Sequence, residues 1–364
     1  MQIEFIRTTE TVQVQKEGKV LFHDSLDHYS NGIVRLLGVP EVELEGFIKM
    51  AAVELEFSEN LEYESWIKIL SECWSSSFPA TIKSVATEKI LLGEPAARFI
   101  SKQMLRFRAS SKEAIIHDQE LDYGRLVDAN TLDPINATTE YEEDYFTGGV
   151  ERVGYGNMDS QEWRSEKAIR LASRVLSTPG LEEKEDLRIL DIGSGYGQFV
   201  NSLHRMKVQS AYGLDISVHA AKRAKEEFNV QTFICELQDL TKQIEAPFNV
   251  ATMWDYIEHP TNPAIDLQSL YSLLTPGGFL FIKTPNLDCP EFSIFQNYYH
   301  SLKREHLHYF SPNSLRRLLE SNGFSIQICE TSSHILQGFQ DGFLTKEAVR
   351  INRGSDIFVV ARRD

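Results

Sequence analysis

The chain has 364 residues, 42% of them hydrophobic, and a formal net charge of −16 at pH 7. This length accommodates one large and one small domain, and the composition supplies enough apolar side chains for a substantial core. The acidic balance argues against general nucleic-acid binding, because a phosphate backbone requires a basic surface. It does not exclude a small anionic substrate bound by a local basic patch.

Neither the cysteines nor the N-terminal sequence indicates secretion or a membrane anchor. Cys73, Cys235, Cys289 and Cys329 lie far apart and form no C-x-x-C pair, so their spacing predicts neither a disulfide framework nor a metal site. The first residues lack the basic and apolar segments of a signal peptide. No run approaches the roughly 20 apolar residues of a membrane span. We therefore expect a cytoplasmic protein with no membrane span.

The first part of the chain carries no motif that indicates a function. Residues 12–22 are predicted to form a strand pair around Glu17-Gly18, and helices are predicted at residues 43–55, 62–74 and 96–106. The polar, acidic segment 128–144 is typical of a linker. We therefore divide the chain into an N-terminal region, residues 1–135, and a second domain, residues 136–364. The N-terminal region is expected to be a smaller, mixed α+β and mainly helical part that binds a partner or mediates self-association.

After the linker, predicted helices and strands alternate regularly. A helix runs from Ser160 to Leu176, and Ser217 caps another. Five strands are predicted at residues 188–191, 211–215, 232–235, 248–253 and 279–283. Ser311-Pro312 opens a last helix, and two strands near residues 325–330 and 356–361 pair antiparallel. This alternation predicts an α/β fold: a Rossmann-like, doubly wound, mostly parallel seven-stranded sheet with an antiparallel C-terminal edge.

A glycine-rich loop follows the first of these strands. Asp191 ends the strand, and Gly193, Gly195 and Gly197 alternate through a tight turn into an amphipathic helix. Only glycine adopts positive φ freely and lets a backbone approach a ligand this closely, and the helix N-terminus can face a polar group. Dinucleotide-binding enzymes use a similar loop. Here, however, Gln198 stands where their third glycine belongs, and Asp191 would repel a pyrophosphate but attract an ammonium group.

Acids also follow the next three strands, at Asp215, Glu236 and Asp255. Because the carboxyl ends of parallel strands meet at one edge of the sheet, these side chains should converge on one crevice. Asp215 can accept hydrogen bonds from two ribose hydroxyls, and Glu236 from the amine of an adenine. The alternative is that each acid is a cap or is solvated, but four acids after four consecutive strands are hard to explain as caps.

From about Tyr145 to the C-terminus the chain resembles class I S-adenosylmethionine-dependent methyltransferases. The glycine loop fits their D-x-G-x-G-x-G signature, and residues 255–260 fit the D-x-I/L-E-H stretch of the ubiquinone-biosynthesis-like branch. Residues 274–278 and 305–311 also match, whereas the N-terminal region is not covered. The resemblance implies that S-adenosylmethionine is the cofactor. It implies these cofactor-binding residues: Asp191, Gly193, Gly195, Gly197, Asp215, Ile216, Glu236, Leu237, Asp255 and Tyr155.

The implied activity is methyl transfer to a small-molecule acceptor, at a hydroxyl oxygen. Methylation of carbon or nitrogen in a sugar or natural product is an alternative, as are a NAD-dependent oxidoreductase and a non-catalytic cofactor-binding scaffold. A nucleic-acid substrate is not expected. A general base is needed only where the acceptor must lose a proton. The candidates are His259, His306 and His308, each of which could instead be a surface or capping histidine.

Overall fold

The computed structural model describes residues 3–7, 11–16, 19–25, 113–118, 123–128, 134–135, 161–181, 186–244, 247–289, 292, 301, 305–332 and 349–364. The predicted helices at residues 43–55, 62–74 and 96–106, together with Ser160 and Tyr155, lie outside these residues. The chain divides into two compact units. Unit 1 comprises Met1–Ile135, Asn286–Pro312 and Thr331–Asp356, and unit 2 comprises Asn136–Pro285, Asn313–Glu330 and Ile357–Asp364. Unit 1 thus includes two segments from the C-terminal part of the chain, and the predicted boundary at residue 135 stays a prediction.

The described strands are, in chain order, β1 (Ile3–Arg7), β2 (Thr11–Lys16), β3 (Lys19–Ser25), β4 (Glu113–Asp118), β5 (Tyr123–Asp128), β6 (Ile189–Ile192), β7 (Ala211–Asp215), β8 (Thr232–Ile234), β9 (Phe248–Trp254), β10 (Leu274–Pro285), β11 (His308–Tyr309), β12 (Phe324–Ser332) and β13 (Asp356–Arg363). The described helices are α1 (Gln161–Leu176), α2 (Gln198–Arg205), α3 (Val218–Phe228), α4 (Leu237–Leu240), α5 (Pro263–Leu273) and α6 (Pro312–Ser321).

The described part of unit 1 contains two three-stranded sheets. One has the order β1-β2-β3 with antiparallel pairs, so the strand pair predicted at residues 12–22 is joined by a further strand. The other has the order β11-β5-β4. The ring of Tyr123 in β5 is buried, with its centroid 4.8 Å from that of Phe310 and 5.4 Å from that of His308. Aromatic packing therefore stabilises this small sheet.

Unit 2 is built on a seven-stranded sheet of order β12-β13-β10-β9-β6-β7-β8. Parallel pairs join β6 to β7 and β9, β7 to β8, and β9 to β10. The chain leaves β6 toward β7 and β8 on one side and returns to β9 on the other. This reversal is the topological switch point at which ligands bind in such sheets, outside the carboxyl ends of the strands. The predicted α/β fold is confirmed.

The last two strands form an antiparallel edge. The Asp364 N–H donates to the Gly323 carbonyl, and the Ser325 hydroxyl donates to the Arg362 carbonyl, so sequence numbers run in opposite directions along β12 and β13. The fifth strand was predicted to begin at residue 279, but β10 already begins at Leu274 and pairs there with Phe248. Since the next partners are Phe279 and Val250, the intervening residues form an irregularity inside the strand.

Apolar spacing explains how α1 and α2 pack. Buried residues recur along α1 at Ala168, Ala172 and Val175, and along α2 at Phe199, Val200 and Leu203. These positions lie on one face of each helix. They share one core with strand residues Ile189, Val250, Phe281 and Phe358. No helix among the described residues is long and apolar enough to cross a membrane.

Candidate functional site

The glycine loop presents main chain at the carboxyl edge of the sheet. Gly193, Gly195 and Gly197 have φ angles of 70°, 51° and 78°, which other residues rarely adopt. A Cβ atom on Gly193 would also lie 2.8 Å from Cδ2 of Tyr256. Helix α2 follows the loop, and Gly197 provides no side-chain cap for its first turn. The loop is held by its own hydrogen bonds, since the N–H groups of Gly193 and Ser194 donate to the Leu214 carbonyl and the N–H of Gly197 donates to the Ser194 carbonyl.

Asp215 ties this loop to the end of β7. Its Oδ2 accepts a hydrogen bond from the Gly195 N–H, and its Oδ1 accepts one from the Ser217 N–H, both at 2.8 Å. Burial raises the pKa of Asp215, and these backbone donors oppose the rise. Each carboxylate oxygen can accept a further hydrogen bond, so the geometry is compatible with ribose hydroxyls as well. Asp215 thus shapes the loop directly.

Asp191 is a buried acid at the centre of the sheet. Strand β6 continues to Ile192, one residue beyond the predicted end, and the Asp191 side chain is only 3% exposed. The Thr252 hydroxyl donates to its Oδ1 at 2.6 Å because the two residues are direct neighbours in the β6–β9 register. Burial raises the pKa of Asp191 to about 7, with the charge of Asp215 adding to the rise and Thr252 opposing it. A cationic ligand group nearby would favour the ionised form.

The turn after β9 contains an aspartate held between two lysines. Asp255 has a φ of 54°, and its N–H donates to the Lys283 carbonyl. Its Oδ1 lies 2.9 Å from Nζ of Lys283 in β10, and its Oδ2 lies 3.3 Å from Nζ of Lys167 in α1. Although burial opposes ionisation, the two lysines hold the pKa of Asp255 well below its usual value. The carboxylate predicted to contact the cofactor therefore already has two ionic partners.

A hydrogen bond anchors the same turn to α5. The Tyr256 hydroxyl donates to Oδ2 of Asp266 at 2.6 Å. Burial raises the pKa of Asp266, Tyr256 opposes the rise, and the charge of Glu236 adds to it. Glu236 itself is exposed, immediately before α4, and its side chain does not cap that helix. The Leu237 side chain is buried, whereas Ile216 beside Asp215 is 51% exposed and presents apolar surface at the crevice.

Glu258 is the most deeply buried acid of this turn. Its side chain is 1% exposed, and its Oε2 accepts a hydrogen bond from the Thr284 hydroxyl at 2.9 Å. Its Oε1 is buried and has no hydrogen-bond partner among the described residues. Burial raises the pKa of Glu258 to about 8, the charge of Asp255 adds to the rise, and Thr284 and Lys283 oppose it.

The three candidate histidines are divided between the two units, with one in unit 2 and two in unit 1. His259 belongs to unit 2, is partly buried, and donates its backbone N–H to the Tyr256 carbonyl at 2.9 Å. His306 and His308 belong to unit 1 and are buried there, His308 in β11 beside Tyr123 and His306 near the ring of Tyr309. Tyr155 lies outside the described residues.

Within unit 2 the structure brings the glycine loop, Asp191, Asp215 and the turn 255–258 together at one edge of the sheet. Sequence reasoning missed several residues that hold this arrangement in place: Lys167, Thr252, Asp266 and Lys283. Glu258 was noted only within a motif. Lys283 carried a usable signal, since a charged residue that ends an apolar strand needs a partner. Lys167 carried none, because it meets Asp255 across 88 positions of sequence.

In comparisons with known proteins, this region is similar to methyltransferases. Residues 160–327 match a family model described as a methyltransferase domain. The human mitochondrial ubiquinone biosynthesis O-methyltransferase is 28% identical over 156 residues, covering 39% of this chain and 42% of that protein. The tRNA 5-carboxymethoxyuridine methyltransferase of Escherichia coli K12 is 32% identical over 113 residues, covering 29% of this chain and 42% of that protein.

The chain therefore spans less than half the length of these curated relatives. Among solved structures, an S-adenosylmethionine-dependent methyltransferase from Mesorhizobium loti is similar, with 20% identity and a TM-score of 0.40. That alignment covers 54% of this chain and 98% of the other.

Proposed function

We propose, on the premise that residues 160–327 are a class I S-adenosylmethionine-dependent methyltransferase domain, that this chain methylates a hydroxyl oxygen of a small acceptor molecule. S-adenosylmethionine, when bound, supplies a methyl group on a positively charged sulfur. The single observation that carries the proposal is the arrangement of a buried acid, Asp191, and a partly buried acid, Asp215, around the glycine loop.

The residues at this edge fit such a cofactor. Asp191 is buried with a raised pKa, so a ligand amine would stabilise its carboxylate. Asp215 has acceptor capacity left for hydroxyl groups. Ile216 offers exposed apolar surface of the kind that a purine ring covers. Gln198 opens α2 in place of a third glycine, which disfavours a dinucleotide.

The main contribution of this chain is then to position the methyl donor and the acceptor. The glycine loop is fixed from one side by Asp215 and abutted from another by Tyr256, so the binding surface is preorganised before the ligand arrives. Such preorganisation lowers the entropic cost of aligning donor and acceptor. Cofactor contacts for Gly193, Gly195, Gly197, Glu236, Leu237, Asp255 and Tyr155 stay predictions, as do catalytic roles for His259, His306 and His308.

Oxygen as the acceptor atom is supported by the name of the human relative, an O-methyltransferase in ubiquinone biosynthesis. The Escherichia coli relative favours a second candidate, an acceptor group on a tRNA nucleoside. The net charge of −16 disfavours a long phosphate backbone as substrate. We therefore prefer the small molecule.

Cofactor identity can be tested by calorimetry with S-adenosylhomocysteine and with NAD. The expected result is saturable binding of S-adenosylhomocysteine, weak or no binding of NAD, and loss of binding in Gly195→Val. Binding of NAD alone would refute the proposal.

The acceptor can be identified by incubating the protein with methyl-deuterated S-adenosylmethionine and a lysate of the source cell. Mass spectrometry of the small-molecule and RNA fractions then locates the label. Label confined to a small molecule that bears a new methoxy group is expected. Label in tRNA would favour the second candidate, and label on carbon or nitrogen would exclude O-methylation.

For residues 1–135 we propose a role in binding a partner or a second copy of the chain. Sedimentation of the full-length protein over a range of concentrations tests self-association directly. A mass that stays monomeric throughout would leave only the partner role.

A further inference from the structure

We infer that Glu258 takes up the proton that the acceptor hydroxyl loses during methyl transfer; this inference rests on the proposed function. It would make Glu258, rather than one of the three histidines, the general base of the reaction.

The first observation is the unsatisfied oxygen. Glu258 is 1% exposed, and its Oε1 is buried without a hydrogen-bond partner among the described residues. A buried polar atom without a partner costs free energy, and native structures contain few of them. Oε2 is already fixed by Thr284 at the end of β10, which orients the carboxyl group and leaves Oε1 available for a ligand.

The second observation is location. Glu258 lies two residues after Tyr256, whose ring abuts Gly193 in the glycine loop. It also lies at the carboxyl ends of β9 and β10, the edge at which ligands bind in a sheet of this topology. The turn that borders the loop therefore also carries the unsatisfied carboxyl group.

The third observation concerns the neighbouring charges. Asp255 is engaged by Lys167 and Lys283, which hold its pKa low and make it a poor base. Glu258 forms no ion pair among the described residues, although a ring nitrogen of His259 lies within 4.8 Å of its carboxylate. Burial raises the pKa of Glu258 to about 8, the charge of Asp255 adds to the rise, and the charge of Lys283 opposes it. A phenolic hydroxyl titrates near 10, so a carboxylate of this basicity is well matched to it.

The acceptor oxygen forms a bond to the methyl carbon with its own electron pair. The carbon–sulfur bond breaks, and its electrons stay on sulfur, which becomes a neutral thioether. The acceptor O–H bond breaks, and its proton passes to Oε1 of Glu258. Solvent then removes this proton before the next turnover.

The test uses Glu258→Gln in the full-length protein, with Glu320→Gln as a matched control, since Glu320 is exposed on α6. The probes are S-adenosylhomocysteine for binding and catechol for turnover. Glu258→Gln should bind S-adenosylhomocysteine within about twofold of wild type, while kcat on catechol falls by about 10²–10⁴-fold. The control should retain both. Wild-type kcat/KM should rise with pH up to about 8, and the variant should lose this rise.

A second variant distinguishes a catalytic role of Glu258 from a purely structural one. Thr284→Val removes the donor to Oε2, so the pKa of Glu258 should rise further and the limb of the pH profile should move to higher pH. Three results would overturn the inference: kcat in Glu258→Gln within threefold of wild type, an unshifted limb in Thr284→Val, or wild-type protein that binds S-adenosylhomocysteine but leaves catechol unmethylated. Failure of the wild-type protein to bind S-adenosylhomocysteine would instead refute the proposed function.

Discussion

Binding of S-adenosylhomocysteine should release a proton from Asp191. In the ligand-free protein, burial raises the pKa of this carboxyl to about 7, so about half of the molecules carry the proton at pH 7. We expect the ligand amine to favour the ionised form and to lower this pKa. Binding at pH 7 should then release about half a proton, and binding at pH 6 about 0.9 of a proton.

The same linkage fixes the pH dependence of affinity. The raised pKa means that the protonated, binding-incompetent form accumulates as pH falls, so affinity must decrease toward acid. The ionised fraction of Asp191 falls from about 0.5 at pH 7 to about 0.01 at pH 5, which predicts roughly 50-fold weaker binding, or about 2.3 kcal/mol. Above pH 7 the affinity should level off.

The assay is isothermal titration calorimetry in buffers of different ionisation enthalpy, which counts the protons released. Asp191→Asn should abolish both the release and the pH dependence, because the amide does not titrate. Asp239→Asn, at an exposed position of α4, is the control and should behave as wild type. The reasoning is refuted if wild-type affinity is flat between pH 5 and 7, or if Asp191→Asn releases as many protons as wild type.

Three further changes test the support of the site. Gly193→Ala should destabilise the protein by about 1–2 kcal/mol from its positive φ and by a further 1–3, roughly, from overlap with Tyr256. In denaturant unfolding Gly180→Ala, which has a positive φ but only ordinary contacts, should show the first term alone, and equal losses would contradict the clash. Asp215→Asn can no longer accept from both Gly195 and Ser217, so calorimetry should show S-adenosylhomocysteine binding weaker by about 1–3 kcal/mol; unchanged affinity would remove its role. Lys283→Met should lower the free energy of unfolding by about 1–3 kcal/mol, since it removes one of the two cationic partners of the partly buried Asp255. Lys242→Met breaks only a fully exposed pair and should leave the free energy of unfolding essentially unchanged; similar losses in both variants would argue against a stabilising Lys283–Asp255 pair.

Local sequence determined the elements of unit 2 and the shape of its loop. The strand at residues 211–215 was predicted with its observed bounds, and Ser217 accepts the Ala220 N–H as an N-terminal cap should. The three loop glycines have the positive φ angles that their spacing indicated. These features are encoded within a few neighbouring residues, because apolar periodicity, capping groups and glycine freedom act over one turn or one strand.

The chemistry of the carboxyl groups was decided only by the tertiary structure. Thr252 reaches Asp191 across 61 positions and Lys167 reaches Asp255 across 88, and strand register and helix packing set both contacts. Four acids occupy equivalent positions after four strands in the sequence, yet the pKa of Asp191 is raised, that of Asp255 is lowered, and Glu236 is exposed. The reason is physical. Burial and neighbouring charges set the free energy of ionisation, and both depend on which distant residues the fold brings alongside.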